Sequence, residues 1–220
     1  MSPWHGVGRQ LRRPSGLLGR LTGVLMRLIN ATPNRLAVDA LRINPYDIVL
    51  ELGFGPGHAI ALLAALATRG FVYGIDQSPV MLEQAQTRNR RAIDAGRVYL
   101  YEAAFERMPF EDASVDKILA VNVIYFWQDA AAVLAEIRRV LRPGGRIVIY
   151  ATEAASMQRW KFAGPKTHLL FTAADLSALL ARGGFNPDGV TVAKVPIAKG
   201  IDGLIATAST PAAPGKAVLE

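Results

Sequence analysis

A strand followed by a glycine-rich turn decides the fold, in residues 48 to 58: Ile48-Val49-Leu50-Glu51-Leu52-Gly53-Phe54-Gly55-Pro56-Gly57-His58. The apolar run 48–52, broken by one acid, is typical of a strand that is buried on both faces and ends at a functional edge. The three glycines at alternate positions allow positive φ and carry no Cβ atoms, so a tight turn can press its amides against a ligand. The stretch predicts a strand, a binding turn and then a helix.

The residues after this turn complete a βαβ unit. Helix formers fill residues 59–68, and Gly70 suits a C-terminal cap. A second predicted strand, residues 71–75, ends on Asp76, which lies 19 residues after Gly57. That separation brings a carboxylate to the neighbouring strand tip, where it can accept hydrogen bonds from two ribose hydroxyls. The unit is therefore predicted to bind a nucleoside.

The glycine spacing narrows the choice of nucleoside. A dinucleotide fingerprint would need a small third residue where this chain has the bulky His58. A phosphate-binding P-loop would need a Lys and a hydroxyl, and the turn has neither. The remaining pattern, E-x-G-x-G-x-G, resembles the first motif of class I S-adenosylmethionine-dependent methyltransferases.

Three later stretches extend this resemblance over roughly residues 46 to 150. They are similar to the family's second strand with its ribose acid, to its "LPF-x-D-x-S-F-D" turn and to its "L-k-P-G-G" turn. The stretches are Val72 to Leu82, Arg107 to Asp116 and Leu141 to Arg146. The chain most resembles methyltransferase type 11 and the small-molecule methyltransferases of quinone biosynthesis.

The order of predicted elements indicates an α/β protein with a Rossmann-like, doubly wound sheet. Strands are expected at 48–52, 71–75, 97–101, 116–122 and 145–151, and helices at 58–68, 79–94 and 129–141. A further helix starts near Thr172, and residues 190–195 and 204–208 are predicted to form a closing antiparallel pair. With the family resemblance, this gives a mostly parallel seven-stranded sheet with an antiparallel closing strand. We expect one domain: a basic helical extension (1–44), the catalytic core (45–210) and a loose tail (211–220).

The resemblance implies S-adenosyl-L-methionine as cofactor and S-adenosyl-L-homocysteine as product. The carried-over cofactor residues are Glu51, Gly53, Gly55, Gly57, Asp76, Gln77, Met81, Ala104, Phe105 and Asn122. Asp76 would hold the ribose, Gln77 and Met81 would flank the adenine, and Asn122 would lie by the methionine part. Many relatives have an Asp where this chain has Ala104, so the adenine contact must be made otherwise, with backbone groups of Ala104 and Phe105 as candidates.

Methyl transfer from a sulfonium needs mainly alignment and exclusion of water, so no dedicated nucleophile is expected. His58, Tyr125 and His168 are weak candidates for a catalytic role. We find no metal-ligand cluster with sensible spacing. The acceptor is expected to be a small or lipid-like molecule, and a non-catalytic S-adenosylmethionine-binding module is the alternative from another class.

The basic charge of the chain is concentrated at its start. The formal net charge is +7, and residues 1–38 contain six Arg and no acid. Apolar residues at 17, 18, 21, 24, 25, 28 and 29 fall on one helical face. This predicted helix either packs on the core as a lid or, through residues 9–30, docks on a membrane and its phospholipid substrate. A nucleic-acid partner is disfavoured because the rest of the chain is nearly neutral.

Composition sets the expected compartment. The 220 residues contain no Cys, and no apolar run approaches the roughly 20 residues of a membrane-spanning helix. The first residues also lack the order of a secretory signal. A cytoplasmic protein, in peripheral contact with a membrane if the helix docks there, is the expectation.

Overall fold

The computed structural model describes residues 30–159 and 169–212. The strands are β1 (Ile48–Leu52), β2 (Phe71–Asp76), β3 (Val98–Glu102), β4 (Val115–Val121), β5 (Leu141–Thr152), β6 (Thr191–Ala198) and β7 (Ile201–Ser209). The helices are α1 (30–41), α2 (His58–Leu66), α3 (Pro79–Asp94), α4 (Ala130–Val140), α5 (Ala154–Met157) and α6 (Ala173–Arg182). Short 3₁₀ turns lie at Ile124–Phe126 and Pro187–Gly189.

All seven strands form one sheet in the order β3-β2-β1-β4-β5-β7-β6. Neighbours from β3 to β5 are parallel, whereas β7 is antiparallel to both β5 and β6. The predicted Rossmann-like sheet with an antiparallel closing strand is confirmed. Because β1 lies between β2 and β4, the chain changes direction of winding there, and the carboxyl ends of these strands border the crevice where such folds bind ligands.

Helices cover both faces of the sheet, as alternating side chains of the buried strands require. On one face, α1, α2 and α3 pack against strand residues such as Val49, Val72 and Leu119. On the other face, α4 and α6 pack against residues such as Leu50, Ile118 and Ile149. Glu51 is the exception to the apolar pattern, since it is 2 % exposed within a strand of buried aliphatic residues.

The segment between β3 and β4 is held by one arginine of α4. Arg139 donates to the carbonyls of Phe110 (2.7 Å) and Met108 (3.2 Å) and to the carboxylate of Asp112 (2.8 Å). It is also paired with Glu136 at 2.7 Å. These bonds fix three residues of the predicted "LPF" turn, Met108, Phe110 and Asp112.

Several predicted boundaries need correction. Helix α1, residues 30–41, falls within the helical extension predicted for residues 1–44, whereas other predicted bounds differ. Strand β5 begins at Leu141 rather than 145, because Leu141 pairs with Val115 before a register shift. The residues at 17–29 and 213–220, including the predicted basic helix and most of the loose tail, lie outside the described residues. Within the described part of the chain, no helix has the length and apolarity needed to cross a membrane.

Candidate cofactor and acceptor site

A cavity of about 730 Å³, part of it open to solvent, lies at the carboxyl ends of β1, β2 and β4. Its lining residues come from α1, the turn after β1, the tip of β2, the start of α3 and the segments after β3 and β4. They are Asn30, Asn34, Glu51, Gly53, Phe54, Gly55, Pro56, His58, Asp76, Gln77, Met81, Phe105, Val121, Asn122, Val123 and Phe126.

The turn between β1 and α2 forms the floor of this cavity, and its three glycines all have positive φ, from +50° to +77°. A Cβ atom on Gly53 would lie 2.5 Å from Val123 Cγ2, and one on Gly57 would lie 2.6 Å from Asn89 Nδ2. A Cβ atom on Gly55 would meet nothing within 4 Å. Gly53 and Gly57 are therefore required for packing, whereas Gly55 borders open space that a ligand can fill.

Asp76 braces this turn from the tip of β2. Its carboxylate accepts hydrogen bonds from the amides of Gly55 and Ser78, both at 2.9 Å. Burial raises the pKa of Asp76 to about 6, although these backbone hydrogen bonds act in the opposite direction. A carboxylate has about four lone-pair sites, so two remain for the hydroxyls of a ligand.

Glu51 is a second acid on the same cavity, one strand away. Its Oε2 atom is buried and has no hydrogen-bond partner. Burial, and then the nearby charge of Asp76, raise the pKa of Glu51 to about 8, while a hydrogen bond from the Ile60 amide lowers it. Without a ligand the carboxyl group is therefore mostly protonated at pH 7, and a positive charge placed beside it would favour the ionised form.

A chain of polar side chains lines the β4 side of the cavity. Asn122 has φ +54° at the tip of β4, and its Nδ2 donates to Asn30 Oδ1 of α1 at 2.8 Å. Its Oδ1 accepts from the Tyr125 hydroxyl, also at 2.8 Å. The Thr152 amide in turn donates to the Tyr125 oxygen. These bonds connect α1 to the carboxyl ends of β4 and β5.

The structure brings most of the predicted cofactor residues to one cavity. Glu51, Gly53, Gly55, Asp76, Gln77, Met81, Phe105 and Asn122 all line it. Gly57 and Ala104 do not: Gly57 packs against α3, and Ala104 is exposed.

The three weak catalytic candidates are placed differently. His58 lines the cavity, and Tyr125 is buried behind Asn122. His168 lies outside the described residues. Burial strongly raises the pKa of Tyr125, which favours the protonated form of this hydroxyl.

Sequence reasoning missed the contribution of α1 to the cavity. Asn30 and Asn34 lie four residues apart, and this spacing puts them on one face of the helix. Asn34 is only 8 % exposed. Two amides at this spacing, just before the apolar residues of a core helix, were the available signal. Among the described residues, no group of three or more His, Cys, Asp or Glu is placed to hold a metal ion.

Taken together, these contacts suit a nucleoside that carries positive charge. Asp76 offers acceptor sites to hydroxyl groups, Gly55 leaves room for close approach to the backbone, and the Oε2 atom of Glu51 has no hydrogen-bond partner among the described residues. No Lys or Arg lines the cavity among the described residues. A polyphosphate, which proteins bind with Lys, Arg or a P-loop, does not fit this set of side chains.

Comparisons with known proteins point to one family. A family model described as "Methyltransferase domain" matches residues 50–149. The uncharacterized methyltransferase YdaC of Bacillus subtilis (strain 168) is 31 % identical over 129 residues, which cover 59 % of this chain and 69 % of the relative. The ubiquinone/menaquinone biosynthesis C-methyltransferase UbiE of Geotalea daltonii is 33 % identical over 130 residues, 59 % of this chain and 55 % of that protein.

The fold is shared with solved methyltransferase structures. A SAM-dependent methyltransferase from Aquifex aeolicus superposes with a TM-score of 0.66 at 19 % identity, covering 92 % of this chain and 97 % of that one. At this level of sequence identity, the similarity to the solved structure supports only a shared fold.

The chain spans between 32 % and 69 % of the length of the first curated relatives that it matches.

Proposed function

Because this chain belongs to the family of S-adenosylmethionine-dependent methyltransferases, we propose that it is an enzyme that moves a methyl group from S-adenosylmethionine to a small-molecule or lipid-like acceptor. The observation that carries the proposal is the convergence of Gly55, Asp76 and Glu51 on one cavity. A turn with open space above it, a ribose acceptor and a buried acid are what a cationic nucleoside requires.

The cofactor, when bound, supplies a methyl group activated by the adjacent sulfonium. On the protein's side, Asp76 holds the ribose hydroxyls while it continues to brace the turn through the Gly55 and Ser78 amides. Gln77 and Met81, next in the chain, flank the base on the β2 side of the cavity. Glu51 faces the positive charge of the methionine part, which favours its ionised form.

The protein's remaining task is to align the acceptor and exclude water. Phe126 and Val123 provide an apolar wall for this on the cavity's lining. The name of the UbiE relative gives it a quinone-pathway substrate, which supports an acceptor of similar, partly apolar character. His58 is the candidate proton acceptor among the described lining residues.

The test is calorimetric titration of the purified protein with S-adenosylmethionine and S-adenosylhomocysteine, with NAD as the negative control. We expect both sulfur nucleosides to bind at micromolar concentration and NAD not to bind. Asp76→Ala should weaken binding by about 1.5 to 3 kcal/mol, roughly 10- to 150-fold, because a charge-assisted hydrogen-bond acceptor is lost. Asp94→Ala, which removes only an exposed ion pair with Arg90, is the matched control.

Two results would contradict this proposal. Binding of NAD alone would show that the glycine turn serves a dinucleotide. Unchanged affinity in Asp76→Ala would show that Asp76 only braces the turn and does not hold the ribose.

A further inference from the structure

We propose that Asn30 and Asn34, with Asn30 oriented by Asn122, form a subsite that binds an uncharged oxygen of the methyl acceptor through amide hydrogen-bond donors. This inference rests on the proposed function and names the chemical group by which the acceptor is recognised. It starts from an amide that makes no hydrogen bond to another described residue.

Asn34 is 92 % buried, lines the cavity and makes no hydrogen bond to another described residue. Its amide atoms are not among the fully buried polar atoms without a partner, so they open on the cavity. An amide that opens on a cavity and has no partner among the described residues is a feature that a ligand can satisfy. Its neighbour one turn earlier, Asn30, lines the same cavity.

The orientation of Asn30 follows from a chain of hydrogen bonds that begins in β5. The Thr152 amide can only donate, so Tyr125 accepts from it and uses its single proton to donate to Asn122 Oδ1. Burial keeps Tyr125 protonated by raising its pKa. Asn122 Nδ2 then faces Asn30 Oδ1.

The last group in this series of hydrogen bonds is the NH₂ group of Asn30. Because Asn30 Oδ1 is occupied by Asn122, its NH₂ group is left to donate, and it makes no hydrogen bond to another described residue. The subsite thus offers N–H donors at Asn30, and a donor and an acceptor at Asn34. A ligand oxygen with lone pairs complements it.

The subsite lies at the β4 end of the cavity, where the family resemblance places the methionine part of the cofactor and therefore the methyl group. Asp76, which holds the ribose, is at the tip of β2, and Asn122 is at the tip of β4, with β1 between them. Two strand spacings separate these tips by about 10 Å. The nucleoside end and the amide end of the cavity are therefore distinct, and Phe126 and Val123 flank the amide end along the chain.

Charge defines the class of oxygen. The described lining residues include no Lys or Arg, and the two acids belong to the cofactor part of the cavity. A phosphate or carboxylate would lack a counter-charge there, since proteins typically bind such groups with Arg or Lys. The oxygen is that of a neutral hydroxyl, phenol or carbonyl next to apolar surface.

The experiment uses Asn34→Leu, a change of similar volume that removes the amide. Because Asn34 makes no hydrogen bond within the described protein, Leu should leave the melting temperature unchanged or raise it. The protein is saturated with S-adenosylhomocysteine and titrated with 2-naphthol, and in parallel with 2-methylnaphthalene, which has the same shape without the hydroxyl. Asn44→Ala, an exposed position outside the cavity, is the control variant.

We expect Asn34→Leu to weaken 2-naphthol binding at least fivefold and to leave binding of 2-methylnaphthalene and of S-adenosylhomocysteine unchanged within twofold. Equal binding of 2-naphthol to both forms, or its failure to bind the wild-type complex, would overturn the proposal. Loss of S-adenosylhomocysteine affinity in the variant would also overturn it, because the amide would then serve the cofactor's carboxylate. If the wild type fails to bind S-adenosylhomocysteine at all, the proposed function itself fails, which is a separate result.

Discussion

Glu51 and Asp76 place two carboxyl groups in one buried cavity, and this makes the stability of the ligand-free protein depend on pH. Burial raises the pKa of Glu51 from 4.5 to about 8 and that of Asp76 from 3.8 to about 6. For each group, at a pH between its ordinary pKa and its raised pKa, the folded protein still holds a proton that the unfolded chain has released. Rising pH therefore favours unfolding, and the stability present below about pH 4.5 is lost as pH passes through 6 and then 8.

Glu51→Gln should remove most of this dependence. Glutamine cannot ionise and can still accept the hydrogen bond from the Ile60 amide, so the variant should be more stable than the wild type above pH 8 by on the order of a few kcal/mol. Below about pH 4, under the pKa of the unfolded glutamate, the two should differ least. Melting temperatures of the cofactor-free proteins, measured from about pH 4 to pH 9, test this, and parallel curves for the two proteins would contradict it.

At the scale of the element, the turn after β1 combines packing and ligand binding, and alanine substitutions can separate the two roles. Gly53, Gly55 and Gly144 all have positive φ, but only at Gly53 would a Cβ atom clash, at 2.5 Å from Val123. Gly144 lies in the turn within β5, outside the cavity lining, and also borders open space. It is the matched control for backbone strain.

Gly144→Ala and Gly55→Ala should each lower the free energy of unfolding by about 1 to 2 kcal/mol, the cost of a left-handed conformation in a residue with a Cβ atom. Gly53→Ala should cost about 3 kcal/mol or more, because overpacking adds to that strain. Gly55→Ala should also weaken S-adenosylhomocysteine binding at least tenfold, while Gly144→Ala should not. Urea unfolding and calorimetry measure both effects. Normal affinity in Gly55→Ala would mean that the space above Gly55 is not used by the cofactor.

The elements of the core were predictable because each has a local signal. The alternation of buried runs with helix formers gave β1 through α4 within a few residues, and the closing pair was recognised from its two short strands. The residues of the site were harder to predict from the sequence. Asn30 and Asn34 reach the cavity only because α1 packs beside the tip of β4, 92 residues from Asn30 in the hydrogen bond to Asn122. No local sequence pattern indicates that two residues so far apart in the chain lie side by side.

Packing between distant parts of the chain also explains why Gly57 and Ala104, which were predicted to bind the cofactor, do not line the cavity. Motif spacing implies that all three glycines approach the ligand, but the direction of each missing Cβ depends on its neighbours. Gly57 faces Ala85 and Asn89 of α3, so its role is helix packing. Ala104 is exposed beside the buried Phe105, and the side chain that reaches the cavity is the phenylalanine.

At the scale of the whole molecule, one continuous sheet predicts one cooperative folding unit. The central strands β1 and β4 contribute buried side chains to both helical layers, so neither layer can lose its packing without exposing the other's strands. Arg146 adds a link between β5 and α1 by donating to the Ala40 carbonyl at 3.1 Å. We expect residues 45–210 to unfold as a single domain.

Denaturation followed by far-ultraviolet circular dichroism and by tyrosine and tryptophan fluorescence should give coincident transitions. Because the cofactor cavity is built from β1, β2, β4 and α1 together, S-adenosylhomocysteine at 100 times its Kd should raise the free energy of unfolding by about 2.7 kcal/mol in both signals equally. Glu51→Gln, a substitution inside the cavity, is the control that checks whether this increase in the free energy of unfolding depends on binding at the cavity. Two separate transitions, or a shift confined to one signal, would show that the helical layers unfold independently and that the chain is not one domain.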